Sequence, residues 1–331
     1  MFLSRLQQSG VCLALATLLR VPVAAEDAAM PIIDTHVHFW VLERPEAIYW
    51  ISKDDPVLYQ TMLPTQHQPI AVANGVGGVV VVQAGQSLPD NEWNLKITSH
   101  NPKLYRGVVG NLSKVIGTDE FKRLFLKLCR DPRYVGYRLS GKYQETLSDA
   151  FFENLELTAE QGKSVDFLVG DYTFEQIGEI AKRIPKLKII LDHFGGVRLS
   201  DKPLDQDWVQ KLREIAKSKN VYCKVSAMYG RFEQKPAPSD VREYEPILDL
   251  VFECFGEDRL VFGSDWPVTK TTGDYASVLA LTRAYFDKKG PVVSEKLFMR
   301  NALKFYGIEP PEGPSPKGPP PVFEPRTFEK K

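Results

Sequence analysis

Ile32-Ile33-Asp34-Thr35-His36-Val37-His38-Phe39-Trp40 begins as an apolar run and ends in polar and aromatic side chains. That reads as a strand buried on both faces which delivers its last residues to an open end. The same pattern recurs along the chain. Candidate strands are Ile32–Asp34, Gly78–Gln83, Tyr105–Gly110, Val135–Leu139, Val165–Val169, Lys188–Asp192, Val221–Val225 and Leu260–Gly263. Amphipathic helical stretches separate them. Thr173-Phe174-Glu175-Gln176 is a capping box ahead of Ile177, Ile180 and Ile184, and Pro185 ends that helix. Ser148 caps a helix that buries Phe152, Leu155 and Ala159. Thr118 starts another, with Leu124, Phe125 and Leu128 inward. Eight strands alternating with helices predict an α/β fold, a single (β/α)8 TIM-type barrel.

No G-x-G-x-x-G or Walker turn follows a strand, which excludes the commonest dinucleotide and nucleoside-triphosphate chemistries. Ala73-Asn74-Gly75-Val76-Gly77-Gly78 precedes a strand and reads as an ordinary turn. Lys plus Arg and Asp plus Glu both number 42, so the chain has no basic footprint for nucleic acid.

The two ends differ from the body. Residues 1–25 read as a signal peptide: Arg5, then the apolar run Val11–Leu19, then Val23-Ala24-Ala25 as a small-residue cleavage site. This predicts a periplasmic or secreted enzyme. A start at Met30 would give a cytoplasmic one. The apolar run is too short to span a bilayer. Residues 309–331 hold eight of the 24 prolines and few aliphatic side chains. They are expected to form a disordered tail. Residues 26–308 are left for the barrel. Cys129, Cys223 and Cys254 sit in apolar contexts without a metal-type C-x-x-C spacing, and are expected to be buried structural thiols.

Barrel chemistry gathers at the C-terminal ends of the strands. His36 and His38, two apart in an extended segment, point to one side, as a metal ion or a developing oxyanion requires. Asp192-His193 follows an apolar strand and precedes Gly195-Gly196, a pattern for a site loop with close backbone approach. Asp265 ends the eighth strand, next to the first after closure, where a carboxylate can take a proton from water. Lys224 and Ser226 alternate inward. Lys224 either pairs with a site carboxylate, reaches an anionic substrate group or snorkels to the surface. Arg138 is either a fork for a substrate oxygen or half of a structural ion pair. Gln83, Trp40 and Tyr229 complete the candidate substrate contacts, with Trp50, Tyr59 and Arg231 as further lining candidates. His67 and His100 read as structural.

Together, Ile33-Asp34-Thr35-His36-Val37-His38-Phe39-Trp40, Asp192-His193-Phe194-Gly195-Gly196, Lys224-Val225-Ser226 and Phe262-Gly263-Ser264-Asp265-Trp266-Pro267 resemble the amidohydrolase-2 (amidohydrolase-related) family. Asn301-Ala302 and Phe305-Tyr306-Gly307 are similar to its closing helix. The likeness runs from about residue 31 to 308 and is strongest to the lactonase branch, which includes L-fuconolactonase and 2-pyrone-4,6-dicarboxylate lactonase. It implies a distorted, metal-dependent-hydrolase-like barrel that opens a cyclic ester. It also implies a site of His36, His38, His193 and Asp265, as catalytic residues and as ligands of one Zn²⁺ or other divalent ion where a metal is used. Members of the branch differ over metal. No histidine or carboxylated lysine stands at the mid-barrel strands, so the resemblance implies one ion or none. The expected partner is a small-molecule lactone or sugar acid, with Asp265 activating water and activity falling at acid pH. A zinc-dependent decarboxylase of the same superfamily and a non-catalytic sugar-acid binding barrel are the alternatives. The oligomeric state is not specified.

Overall fold

The computed structural model describes residues 30–44, 46, 48–140 and 147–311. The expected signal peptide lies outside the described residues, and so does the proline-rich tail beyond residue 311. No described helix is long and apolar enough to cross a membrane.

Eight strands form one parallel sheet: β1 (Ile32–Val37), β2 (Val76–Val82), β3 (Tyr105–Asn111), β4 (Tyr134–Leu139), β5 (Ser164–Phe167), β6 (Lys188–Leu191), β7 (Val221–Val225) and β8 (Leu260–Phe262). They are hydrogen-bonded in sequence order, so each connection carries the chain one place round the barrel. The strands are buried almost throughout because side chains on one face meet the helices and those on the other fill the interior. Ile33, Val80, Val109, Val135, Ile190 and Val261 form an interior cluster, joined by Phe305 and Tyr306 of the last helix, Asn301–Tyr306.

The expected caps form. The Thr173 hydroxyl accepts from the Gln176 backbone at 3.2 Å, and the Gln176 side chain accepts from Thr173 N at 3.1 Å. Ser148 Oγ accepts from Phe151 N. Three expectations need correction. Val76 and Gly77 belong to β2, with Gly78, and not to a turn. A Cβ on Gly77 would sit 2.7 Å from Pro31 Cβ, and one on Gly78 would sit 2.6 Å from Ile33 Cδ1, so glycine lets β1 pack closely on β2. The helix Asp119–Leu128 buries Phe121 together with Phe125 and Leu128, while Leu124 is only half-buried. Of the three cysteines among the described residues only Cys223 is buried. Cys129 and Cys254 lie in the outer helical layer and are partly exposed.

The last seam of the barrel is unusual. β8 has only three residues, and between β1 and β8 the backbone contributes a single bridge, Val37 to Trp266, in the loop beyond β8. Side chains complete the closure. Asp34 Oδ1 accepts from Ser264 N at 2.9 Å and His36 N at 3.1 Å, and Oδ2 accepts from the Tyr275 hydroxyl at 2.8 Å. Thr35 Oγ1 donates to Phe262 O at 2.7 Å. Gly263 must be glycine here, since a Cβ would lie 2.7 Å from His36 Cβ. Removing a fully buried acceptor strands three donors, each costing about 1–3 kcal/mol. Asp34→Ala is therefore expected to lose about 3–5 kcal/mol of unfolding free energy. Urea titration checks this, and a loss below about 1 kcal/mol would mean that the carboxylate does not hold the seam.

Candidate functional site

β1 bends the expected alternation. Its register against β2 shifts between Asp34 and Val37. Both imidazoles nevertheless converge, with His36 Nε2 and His38 Nε2 3.1 Å apart. His38 Nδ1 faces Val82 O at 2.6 Å, so it donates there and Nε2 keeps its lone pair. Asp265 arrives from beyond β8, held by its backbone N–H to His36 O at 2.9 Å. Its Oδ1 lies 3.4 Å from His38 Nε2 and 3.7 Å from His36 Nε2.

His193 completes the group from beyond β6, its ring centroid 4.5 Å from that of His36. Its Nδ1 pairs with Ser226 Oγ at 2.8 Å, which leaves Nε2 for a ligand. Asp192 and His193 therefore do not serve each other; each has other partners. His193, Phe194 and Asp265 have φ of 53°, 57° and 59°. Such left-handed backbone is costly for residues with a Cβ and gathers where a site imposes it. Gly195 and Gly196 share the turn, and a Cβ on Gly196 would come within 2.9 Å of Val169 O, so the expected close approach is present.

Beneath the histidines lies a buried charge cluster. Lys224 Nζ contacts Asp166 Oδ2 at 2.5 Å, Asp192 Oδ1 at 3.0 Å and His36 Nδ1 at 3.2 Å. All three charged side chains are fully buried. Arg138 Nη1 lies 3.7 Å from Asp192 Oδ2, and Tyr306 donates to Asp166 at 3.3 Å. Burial opposes the charge on Lys224, but the two carboxylates prevail and raise its pKa. Burial likewise opposes ionisation of Asp192, yet Lys224 and His36 hold it well below the usual carboxylate range. Asp166 is pushed up to about 6 by burial, against the pull of Lys224. Burial and the nearby ammonium hold His36 well below its ordinary value, and burial does the same to His193, so both are neutral at pH 7. Asp265 also resists burial: the facing His193 and His38 rings and the guanidinium of Arg231 hold its carboxyl below the ordinary value.

The residues expected to touch substrate fall into two places. Lys224 is internal and sits between carboxylates. Arg138 donates to Gln83 O at 2.6 Å and faces Asp192. Gln83 donates to Ser87 O at 2.6 Å, and its buried Oε1 has no partner among the described residues. Trp40 is fully buried and donates to Gln60 O at 2.8 Å. Tyr229 packs against Tyr244 beyond β7. Sequence reasoning missed Asp166 and assigned no role to Asp34. The available signal was a carboxylate inside an apolar strand, which is costly unless paired.

Two groups have ligand atoms close enough to share an ion: His36, His38 and Asp265, and His36, Asp192 and His193. A tetrahedral ion with bonds of about 2.0–2.1 Å separates neighbouring donors by about 3.3–3.4 Å. Separations of 3.1, 3.4 and 3.7 Å in the first group match that spacing, so these residues fit one divalent ion. In the second group Asp192 is already engaged by Lys224.

Comparison with known proteins places these residues in context. Residues 33–308 match the family model described as Amidohydrolase. An L-fucono-1,5-lactonase of Burkholderia ambifaria is 28% identical over 291 residues, covering 85% of this chain and 97% of that protein. An L-fucono-1,5-lactonase of Burkholderia multivorans is 25% identical, covering 78% and 89%. A solved amidohydrolase from Burkholderia multivorans with bound zinc aligns with a TM-score of 0.75 at 22% identity, over 84% of this chain and 100% of the other.

Replacing Lys224 with Met would leave Asp166 and Asp192 buried without their cation. Breaking a buried pair in this way costs about 3–5 kcal/mol. Lys224→Met is thus expected to unfold at markedly lower denaturant. A Lys224→Met/Asp166→Leu/Asp192→Leu triple variant should recover most of that stability. Equal midpoints for the wild type and Lys224→Met would show that the cluster is not an ion-paired core.

Proposed function

The chain belongs to the amidohydrolase family, and from that premise we propose that it hydrolyses the ring ester of a sugar lactone. One observation carries the reading: His36, His38 and His193 converge on Asp265, a carboxylate kept ionised in a buried setting. Similarity to the two L-fucono-1,5-lactonases supports the substrate class.

The chemistry follows from the donor set. Asp265 holds a water and removes its proton as the oxygen attacks the lactone carbonyl carbon. His193 Nε2 and His36 Nε2, as N–H donors, face the carbonyl oxygen as it gains charge. Preorganised donors in a buried site are usually the largest single contribution to such a step. The bond from carbonyl carbon to ring oxygen then breaks. Asp265 returns its proton to the departing alkoxide, and a hydroxy acid leaves. The carboxylate is regenerated without a covalent intermediate. When a divalent ion is bound, His36, His38 and Asp265 would hold it, and it would supply Lewis-acid polarisation of the carbonyl oxygen.

Purified protein assayed by pH-stat against fucono-, galactono-, glucono- and rhamnono-lactones tests the reading. At least one should be hydrolysed with saturation kinetics. Asp265→Asn should lower kcat by about 10²–10⁴-fold on that substrate with its fold intact. Turnover equal to the wild type would remove Asp265 from its role.

The pH profile is a separate expectation. A carboxylate held below its ordinary value is ionised, and active, at every pH above that value. As pH falls, kcat/KM should hold level down to the ordinary aspartate range, about 4, and drop only below it. An acid limb with a midpoint near 6 would assign the essential base to another group.

A further inference from the structure

The loops after β5, β6 and β7 enclose a cavity of about 290 Å³, lined by Leu168, Val169, Arg198, Arg231, Phe232 and Glu233. Its wall is built rather than incidental. Leu199 N donates to Arg231 O at 2.8 Å, Glu233 N donates to Leu199 O at 2.8 Å, and Leu199 bridges to Phe232 in parallel. Arg198 and Arg231 therefore leave adjoining backbone segments and present two guanidinium groups to one space.

Neither side chain makes a hydrogen bond or ion pair among the described residues, and Arg231 Nε is buried without a partner. Two like charges side by side are unfavourable. Burial and Arg198 together depress Arg231, while Asp265 pulls the other way. Glu233, exposed at the rim, offsets only one of the two charges. The space beside Gly230 is open, since a Cβ there would meet nothing closer than Ala227 Cβ at 3.8 Å. Arg231 lies within electrostatic reach of both Asp265 and His193, so the cavity adjoins the place where the ester is cleaved.

We propose that this cavity binds a second, exocyclic carboxylate of the substrate, so that the preferred lactone is the monolactone of a sugar dicarboxylic acid. The inference rests on the lactone reading above and adds the substrate's far end. A planar guanidinium fork matches a carboxylate in two hydrogen bonds, and two forks beside apolar walls favour that group over a neutral hydroxymethyl. The ring would sit over Asp265 and the exocyclic arm would run toward β7.

Stereochemically matched pairs test it in the gluco, galacto and manno series. Each pair sets an aldarolactone against the aldonolactone that differs only at the exocyclic end. The first readout is kcat/KM. The second, independent of turnover, is calorimetric binding of the open-chain dicarboxylate against the monocarboxylate. In at least one series the dicarboxylate member should be favoured about tenfold or more by each readout. Arg231→Gln and Arg198→Gln should each cut that preference severalfold, and Glu233→Gln should widen it. Arg198 is exposed, so its variant serves even if Arg231→Gln fails to fold. Equal binding of the paired acids in all three series, or a preference that survives both arginine substitutions, overturns the proposal. Tight arginine-dependent binding of a dicarboxylate, with no lactone hydrolysed, would instead overturn the lactone reading and leave the subsite standing.

Discussion

A three-residue eighth strand cannot close a barrel by backbone pairing alone, and the carboxylate of Asp34 makes up the difference. It gathers Ser264 N, His36 N and the Tyr275 hydroxyl, each from a different part of the chain. This one anchor sets the distance between the ends of β1 and β8. The separations among His36, His38 and Asp265 are the same distance seen one layer higher. Stability and chemistry therefore share a seam. Burial pushes the Asp34 pKa up, and its hydrogen bonds pull the other way, so the carboxylate stays in place by its contacts and not by exposure to water.

A second constraint lies just below. Lys224, Asp166 and Asp192 are charges without solvent, held together by mutual attraction. Their position under His36 makes them part of the site's floor. The lysine's ammonium supplies fixed positive charge next to an imidazole that is itself neutral. Lysine on β7, an aspartate on β5 and one directly after β6 are brought together only because a barrel turns alternate residues of neighbouring strands toward one axis. Hydrophobic side chains of similar volume would pack as stably. What the ion cluster adds is a defined electrostatic surrounding for the four residues above it.

The barrel was legible because its strands are continuous apolar runs and its helices carry caps that local chemistry demands, as at Thr173 and Ser148. The strand-end placement of His36, His38, His193 and Asp265 was legible because each is polar at or directly after such a run. Asp166 was not, since nothing in Ser164-Val165-Asp166-Phe167 distinguishes an inward carboxylate with a distant partner from an outward one in water. Gly77 and Gly78 misled for a related reason. Glycine signals a turn locally, but here it answers to Pro31 and Ile33 across the sheet. The helix Asp119–Leu128 buries Phe121 in place of the expected Leu124, because Phe121 packs against Tyr137.

By itself the sequence determined the alternation of strands and helices, and with it which residues stand at strand ends, because hydrophobic period and capping are local properties. Only the tertiary structure decided which of those residues meet. The pairing of Lys224 with Asp166 and Asp192, the seam at Asp34 and the adjoining of Arg198 and Arg231 all join segments far apart in the chain. Their energies depend on burial and on separations of a few ångströms, and neither quantity exists until the chain has closed on itself.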